Sequence, residues 1–272
     1  MTETAPARLA ATVLLARDGA EGVEIFMVVR HHEIDFASGA LVFPGGSIDP
    51  GDRDPRLRSR SDGADQLDDD RLSVHVAAAR EAFEECGVLY ARESGSATII
   101  SGRRAAVLGD KYRQALEKNE IGMADLAETE NLRLALDELV PFAHWITPRP
   151  LPKRFDTHFF LARAPHDHTL EHDGSEAVDS VWITPRQVTE DADNGRRTVI
   201  FATRLNVERV GESGTVGEAL DRARAARITT VLPEIEKTAN GRILRIPIES
   251  GYGKSEFHLH GGPGGAKLAN KT

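Results

Sequence analysis

The chain has 272 residues, 40% hydrophobic and 28% charged, with a formal net charge of −9. That acidic balance, without a basic tract, excludes a nucleic-acid backbone as main partner, because phosphate contacts need clustered Lys and Arg. A single cysteine, Cys86, excludes an intrachain disulfide, and no stretch approaches the ~20 apolar residues of a membrane-spanning helix.

Residues 1–10 lack the basic start and apolar run of a secretory leader, so a cytoplasmic location is expected. Residues 8–17 (RLAATVLLAR) read as a largely buried strand, 19–22 as a turn and 23–30 as the second strand of a hairpin. A loop over 31–39 leads to a short strand at 40–43, which delivers the run Phe43-Pro44-Gly45-Gly46-Ser47. Gly45 and Gly46 permit positive φ and close backbone approach, so their amides can face a phosphate or seat a following helix. An ordinary tight turn accounts for them equally well. Residues 53–71 are dominated by Arg, Asp, Ser and Gly and are expected to form a surface loop.

A helix follows. Leu72, Val76, Ala79, Phe83 and Cys86 recur at helical spacing and make an apolar stripe, with Ser73 as N-cap and Gly87 as the left-handed stop. Cys86 on that stripe is expected to be a small buried hydrophobe. Glu81, Glu84 and Glu85 stand at i, i+3 and i+4, so three carboxylates crowd one face. Like charges at that spacing destabilise a bare helix by a few tenths of a kcal/mol per pair. A divalent cation would turn the repulsion into attraction, and hard oxygen ligands suit Mg²⁺ or Mn²⁺. A solvated acidic face, with Arg80 paired to Glu84, is the plainer explanation of the same residues.

Residues 102–139 read as a helical insert, with helices at 111–118 and 124–136, available to a substrate pocket or to a homodimer surface. Strands follow at 142–147 and 154–163. In the second, Phe155, Thr157, Phe159 and Leu161 alternate with Asp156, His158 and Phe160. His166, His168 and His172 share a polar loop, but without cysteines or a fixed frame they make a poor zinc site. After a strand at 178–183, Thr184-Pro185-Arg186-Gln187 forms a capping box that opens a helix. Helices are expected at 200–210 and 216–227, the latter capped by Thr215 with Glu218. Residues 229–235 and 242–248 read as an edge hairpin about Asn240-Gly241. Residues 251–272 are expected to be a flexible tail.

Gly46, then Arg80-Glu81-Ala82 and Glu84-Glu85 with Gly87-Val88, resemble the signature of the Nudix hydrolases, G-x5-E-x7-R-E-U-x-E-E-x-G-U with U aliphatic. Two positions depart from it. Asp52 stands where the family has its first Glu, and the run 53–79 fills a gap that usually holds seven residues. The resemblance implies an α+β fold, an α/β/α sandwich with a mixed sheet, elaborated into one domain over 1–250 by the insert and a C-terminal extension. It implies metal-dependent hydrolysis of a nucleoside diphosphate joined to another moiety. Glu81, Glu84 and Glu85 would hold Mg²⁺ or Mn²⁺, and Arg80 would orient them. Glu176, six residues before Trp182, would be the general base or a further ligand. Gly45, Gly46, Arg30 and Arg154 would meet a small nucleotide substrate. The approach 36–46 (FASGALVFPGG) looks like the coenzyme A and acyl-coenzyme A diphosphatase branch, as do Trp145-Ile146-Thr147-Pro148 and Arg154-Phe155-Asp156-Thr157-His158-Phe159-Phe160. The branch implies cleavage to 3′,5′-ADP and a 4′-phosphopantetheine half. An ADP-ribose or dinucleotide diphosphatase shares the same box, and a non-catalytic nucleotide-binding module would keep the fold.

Overall fold

Twelve residues of β1 (Arg8–Gly19) form the axis of the main sheet. The computed structural model describes residues 5–30, 39–149, 151–168, 170, 177–239, 241–260 and 267–268. β2 (Gly22–Arg30) returns from β1 as the expected hairpin, β3 (Leu41–Val42) lies on β2, and β4 (Gly45–Ser47) folds back on β1. Next come α1 (Arg56–Ser59), β5 (Ser61–Asp62), α2 (Asp69–Cys86), β6 (Ala91–Glu93), α3 (Gly102–Glu117), α4 (Met123–Thr129) and β7 (Leu132–Ala135). β8 (Val140–Ile146), β9 (Phe155–Arg163) and β10 (Ala177–Ile183) complete most of the sheet. α5 (Pro185–Asp193), α6 (Phe201–Val210), α7 (Val216–Ala225) and β11 (Thr230–Val231) follow, then β12 (Glu234–Thr238), β13 (Gly241–Arg245), β14 (Glu256–His260) and β15 (Lys267–Leu268).

The main sheet runs β10-β2-β1-β9-β8-β11. β1 is parallel to β9 and β8 to β11, while the other neighbours are antiparallel, so the sheet is mixed as expected. Alternation along β1 explains the layering, because successive side chains leave opposite faces. Val13 and Leu15 pack with Val76, Phe83 and Leu108 of α2 and α3 on one side. Leu14 and Ala16 pack with Val188, Leu205 and Leu220 of α5, α6 and α7 on the other. Helices therefore cover both faces, giving the α/β/α sandwich of an α+β fold. Among the described residues no helix is long and apolar enough to cross a membrane.

α2 starts earlier than its apolar stripe indicates. Asp68 is the N-cap and accepts from the Arg71 N–H at 2.8 Å, while Ser73 donates to the Asp70 carbonyl inside the helix. Gly87 stops the helix at φ 71°, as expected, and Cys86 is buried.

Four expectations are corrected. Residues 53–71 are not a solvated loop: Leu57 and Ala64 are buried in the core, and β5 pairs with β7 in a sheet ordered β5-β7-β6. Its charges have partners, since Arg133 and Arg92 both donate to Asp62, at 2.7 and 3.0 Å. In the insert, α4 ends before Asn131 (φ 52°), and the alternating Leu132 and Leu134 become β7 instead of prolonging a helix to 136. The expected hairpin forms, β12 antiparallel to β13 with Thr238 opposite Gly241, but its first strand lies later than 229–235, because Thr230 and Val231 join β8 as β11 instead. The presumed tail then continues as β14 against β13, because Phe257 and Leu259 are buried and the Phe257 ring meets Phe201 at 5.0 Å. Residues 261–266 and 269–272 lie outside the described residues.

Candidate functional site

β4 sets Gly45 opposite Thr12 and Gly46 opposite Ala11, which presses the glycine turn between β1 and α2. At Gly45, with φ +155°, a Cβ would lie 2.4 Å from the Ala11 carbonyl oxygen. At Gly46 it would lie 2.3 Å from Glu81 Oε1. The Gly45 N–H donates to Glu85 Oε2 at 2.9 Å. Both glycines therefore seat the glutamate helix, and the amide of Gly45 aims a carboxylate.

Behind the glutamates lies Arg80, buried and fully engaged. Nε donates to Asp52 Oδ1 at 3.0 Å, and one terminal nitrogen donates to Asp52 Oδ2 at 3.0 Å and to the Ser47 carbonyl at 2.8 Å. The other donates to Glu81 Oε1 at 3.0 Å and Glu84 Oε2 at 2.8 Å. Burial pushes Glu84 up to about 7 against the pull of Arg80, with Asp52 and Asp49 adding to the rise. Burial likewise raises Asp52. Glu84 Oε1 is buried with no hydrogen-bond partner. A buried carboxylate oxygen left unpaired costs on the order of 1–3 kcal/mol or more, so this oxygen suits a cation. The donors are all oxygens, the set that Mg²⁺ or Mn²⁺ takes.

The cavity above these groups measures about 490 Å³. Asp49, Glu81, Glu84, Glu85 and Glu117 give it an acidic end. Val28, Val42, Phe43, Phe155, Phe159 and Ile200 supply apolar wall, and Arg8 and Lys153 also line it. Sequence reasoning missed Glu117, Arg8 and Lys153. Glu117 is the last residue of α3, and α3 is fastened to α2 by Arg113, which donates from Nε to the Glu84 carbonyl at 3.0 Å. No local pattern announces that contact.

The remaining candidates lie elsewhere. Arg154 does not line the cavity: its guanidinium donates to the carbonyls of Thr147 at 3.0 Å and Ala5 at 2.7 Å, fixing backbone. Arg30 ends β2, and its side chain lies outside the described residues, as do Glu176 and His172. His168 is buried with Nε2 3.0 Å from the Ile100 carbonyl, so it serves packing. A different group was not anticipated. His144, Asp156 and His158 bring ligand atoms within 4.8 Å of one another. Among the described residues no other group of three His, Cys, Asp or Glu is that tightly gathered, the three glutamates of α2 included. Here His144 already pairs with Asp156 and Thr230 and stacks on His158, ring centroids 4.0 Å apart.

Fold, glycine turn and glutamate helix together define a Nudix hydrolase. The family described as NUDT19 Nudix domain matches residues 50–201, and the chain belongs to it. It is 26% identical over 191 residues to nudix hydrolase 7 of Caenorhabditis elegans, covering 70% of this chain and 55% of that protein. It is 25% identical to the human acyl-coenzyme A diphosphatase NUDT19, covering 63% of this chain and 56% of that one. The chain thus spans about half the length of these relatives. The crystal structure of a Nudix hydrolase from Alicyclobacillus acidocaldarius is similar at TM-score 0.66 and 26% identity, covering 80% of this chain and 97% of that one.

Proposed function

We propose that the chain hydrolyses the diphosphate linkage of a nucleotide joined to another moiety, with coenzyme A or an acyl-coenzyme A as substrate. The products are 3′,5′-ADP and an (acyl-)4′-phosphopantetheine. The carrying observation is the partnerless buried oxygen of Glu84, set beside Glu81 and Glu85 at the acidic end of a nucleotide-sized cavity. A Mg²⁺ or Mn²⁺ ion on those three carboxylates would neutralise the diphosphate and lower the pKa of a bound water.

The chain's own groups do the rest. Arg80 holds Glu81 and Glu84 from behind, at 3.0 and 2.8 Å, so neither swings when substrate charge arrives. The Gly45 amide fixes Glu85 in the same way. Glu117 is a further carboxylate on the cavity wall that can take the proton of the attacking water. Water oxygen bonds to phosphorus, the bridging P–O bond breaks, and the proton passes to that carboxylate. The apolar wall formed by Phe155 and Phe159 suits a base or acyl-pantetheine arm. Likeness to a protein named acyl-coenzyme A diphosphatase, and the run Arg154 to Phe160, favour coenzyme A over ADP-ribose.

The test is turnover with Mg²⁺ or Mn²⁺ over coenzyme A, acyl-coenzyme A, ADP-ribose and dinucleoside polyphosphates, run in ¹⁸O-water with mass spectrometry of products. The label is expected on a phosphate, with any thioester intact. Free acid beside an intact diphosphate would refute the chemistry. Cleavage of ADP-ribose but not coenzyme A would refute the substrate alone.

A further inference from the structure

We propose that Arg8 and Lys153 form a subsite for a phosphomonoester that the substrate carries apart from the bond being cut. The proposal rests on the diphosphatase reading and assigns a second anchoring point to the same cavity.

The cavity wall carries three cations, Arg8, Arg80 and Lys153. Arg80 is buried and spent on Asp52, Glu81, Glu84 and the Ser47 carbonyl. Arg8 and Lys153 are exposed, and among the described contacts neither has a carboxylate partner. Many other arginines of this acidic chain are paired, Arg56 with three acids and Arg92 with three. Two exposed cations on the wall of an otherwise acid-rich cavity, without a carboxylate partner among the described residues, suit an anion brought by the substrate.

Their backbone is fixed. Arg8 stands opposite Phe155 where β1 runs parallel to β9, and its N–H donates to the Arg154 carbonyl at 2.9 Å. Lys153 is one residue further back, with Nζ 5.8 Å from the Phe155 ring centroid. Arg154 ties this segment to the carbonyls of Thr147 and Ala5, so both cations stand on pinned backbone.

The register then orders the cavity along its length. Arg8, Ala10 and Thr12 of β1 lie opposite Phe155, Thr157 and Phe159 of β9, and all six line the cavity. Thr12 is the residue opposite Gly45, where Glu85 is held. Arg8 is therefore about 13 Å along the strand from the glutamates' end, at roughly 3.3 Å per residue. Between them lies a strip of aromatic and small side chains. A ligand matching that arrangement has a diphosphate at the glutamates' end and a second phosphate set apart from it, towards Arg8 and Lys153. A guanidinium and an ammonium suit a phosphate dianion, one by forked hydrogen bonds and the other as a point charge. Coenzyme A carries such a second phosphate, the 3′-phosphate on the ribose that also bears its diphosphate, and ADP-ribose lacks it.

The experiment compares coenzyme A with 3′-dephospho-coenzyme A for the wild type, Arg8→Gln and Lys153→Gln. In the wild type KM is expected to be lower for coenzyme A. Each variant is expected to raise KM for coenzyme A on the order of tenfold, the worth of one hydrogen bond to a charged group, and to leave kcat and the dephospho substrate unchanged. Calorimetric titration with 3′,5′-ADP and with 5′-AMP supplies a reading free of turnover, in which each variant weakens the first and not the second. Equal effects on both members of either pair, or none, would overturn the subsite. A wild type that cleaves no diphosphate yet shows the calorimetric difference would overturn the enzymatic reading and leave the subsite standing.

Discussion

Arg80 and Asp52 form a doubly hydrogen-bonded, buried pair, both contacts 3.0 Å, across 28 positions of sequence. The shorter carboxylate in the place of the family's first Glu therefore still reaches the arginine that orients the glutamates. Removing one partner of a buried pair leaves an uncompensated charge and costs about 3–5 kcal/mol. Asp52→Ala is expected to lose stability near the lower end of that range, since Arg80 keeps Glu81, Glu84 and the Ser47 carbonyl. Urea unfolding measures it, and an unchanged midpoint would contradict the pairing.

Glu84→Gln is expected to fold and to lose diphosphatase activity by about two to three orders of magnitude, the scale of losing a principal electrostatic stabiliser. Mg²⁺ should raise the melting temperature of the wild type and raise that of the variant much less, because ligand binding to the native state stabilises it. Wild-type turnover at saturating Mg²⁺ would remove Glu84 from the site.

Replacing residues 55–69 by a short Gly-Ser linker tests the packed insertion. Loop length alone enters closure entropy only logarithmically, so a dispensable loop would leave stability nearly unchanged. With Leu57 fully buried, the expected result is instead a large loss of cooperative unfolding, and Leu57→Ala alone should cost about 2–5 kcal/mol.

His158 supplies a pH dependence. Burial first, and the neighbouring His144 second, push its imidazole from 6.5 down to about 4. The native state keeps this ring neutral while the unfolded chain takes up a proton below 6.5. Its contribution to stability is thus fully present above pH 6.5 and lost as pH falls towards 4. His158→Gln should unfold with a shallower loss of stability between pH 7 and pH 4.5 than the wild type. An equal slope would place the titration elsewhere.

What could be read from the chain was what is local. The stripe of Leu72, Val76 and Phe83 and the stop at Gly87 need only helical spacing, and the alternation in 154–163 needs only a period of two. Leu57 was hidden because its neighbours are charged, and those charges find partners far away, such as Arg56 with Glu128 and Arg133 with Asp62. Glu117, Arg8 and Lys153 reach the cavity only through the α3–α2 contact and the β1–β9 register, neither of which leaves a spacing in the sequence. Residues 251–260 read as tail because glycine and polar residues dominate, yet Tyr252 accepts from the Trp145 indole and donates to Asn206, binding the segment to β8 and α6.

Gly46 differs from Gly45 in one respect. Its φ is not positive, so an alanine there would meet no left-handed backbone penalty, and its nearest obstacle would be the carboxylate of Glu81 at 2.3 Å. The hydrogen atom at that α-carbon is a spacer, thinner than any side chain, that decides where a carboxylate stands. Chemistry is what this position guards: the first thing a Gly46→Ala side chain would displace is a carboxylate of the site, Glu81.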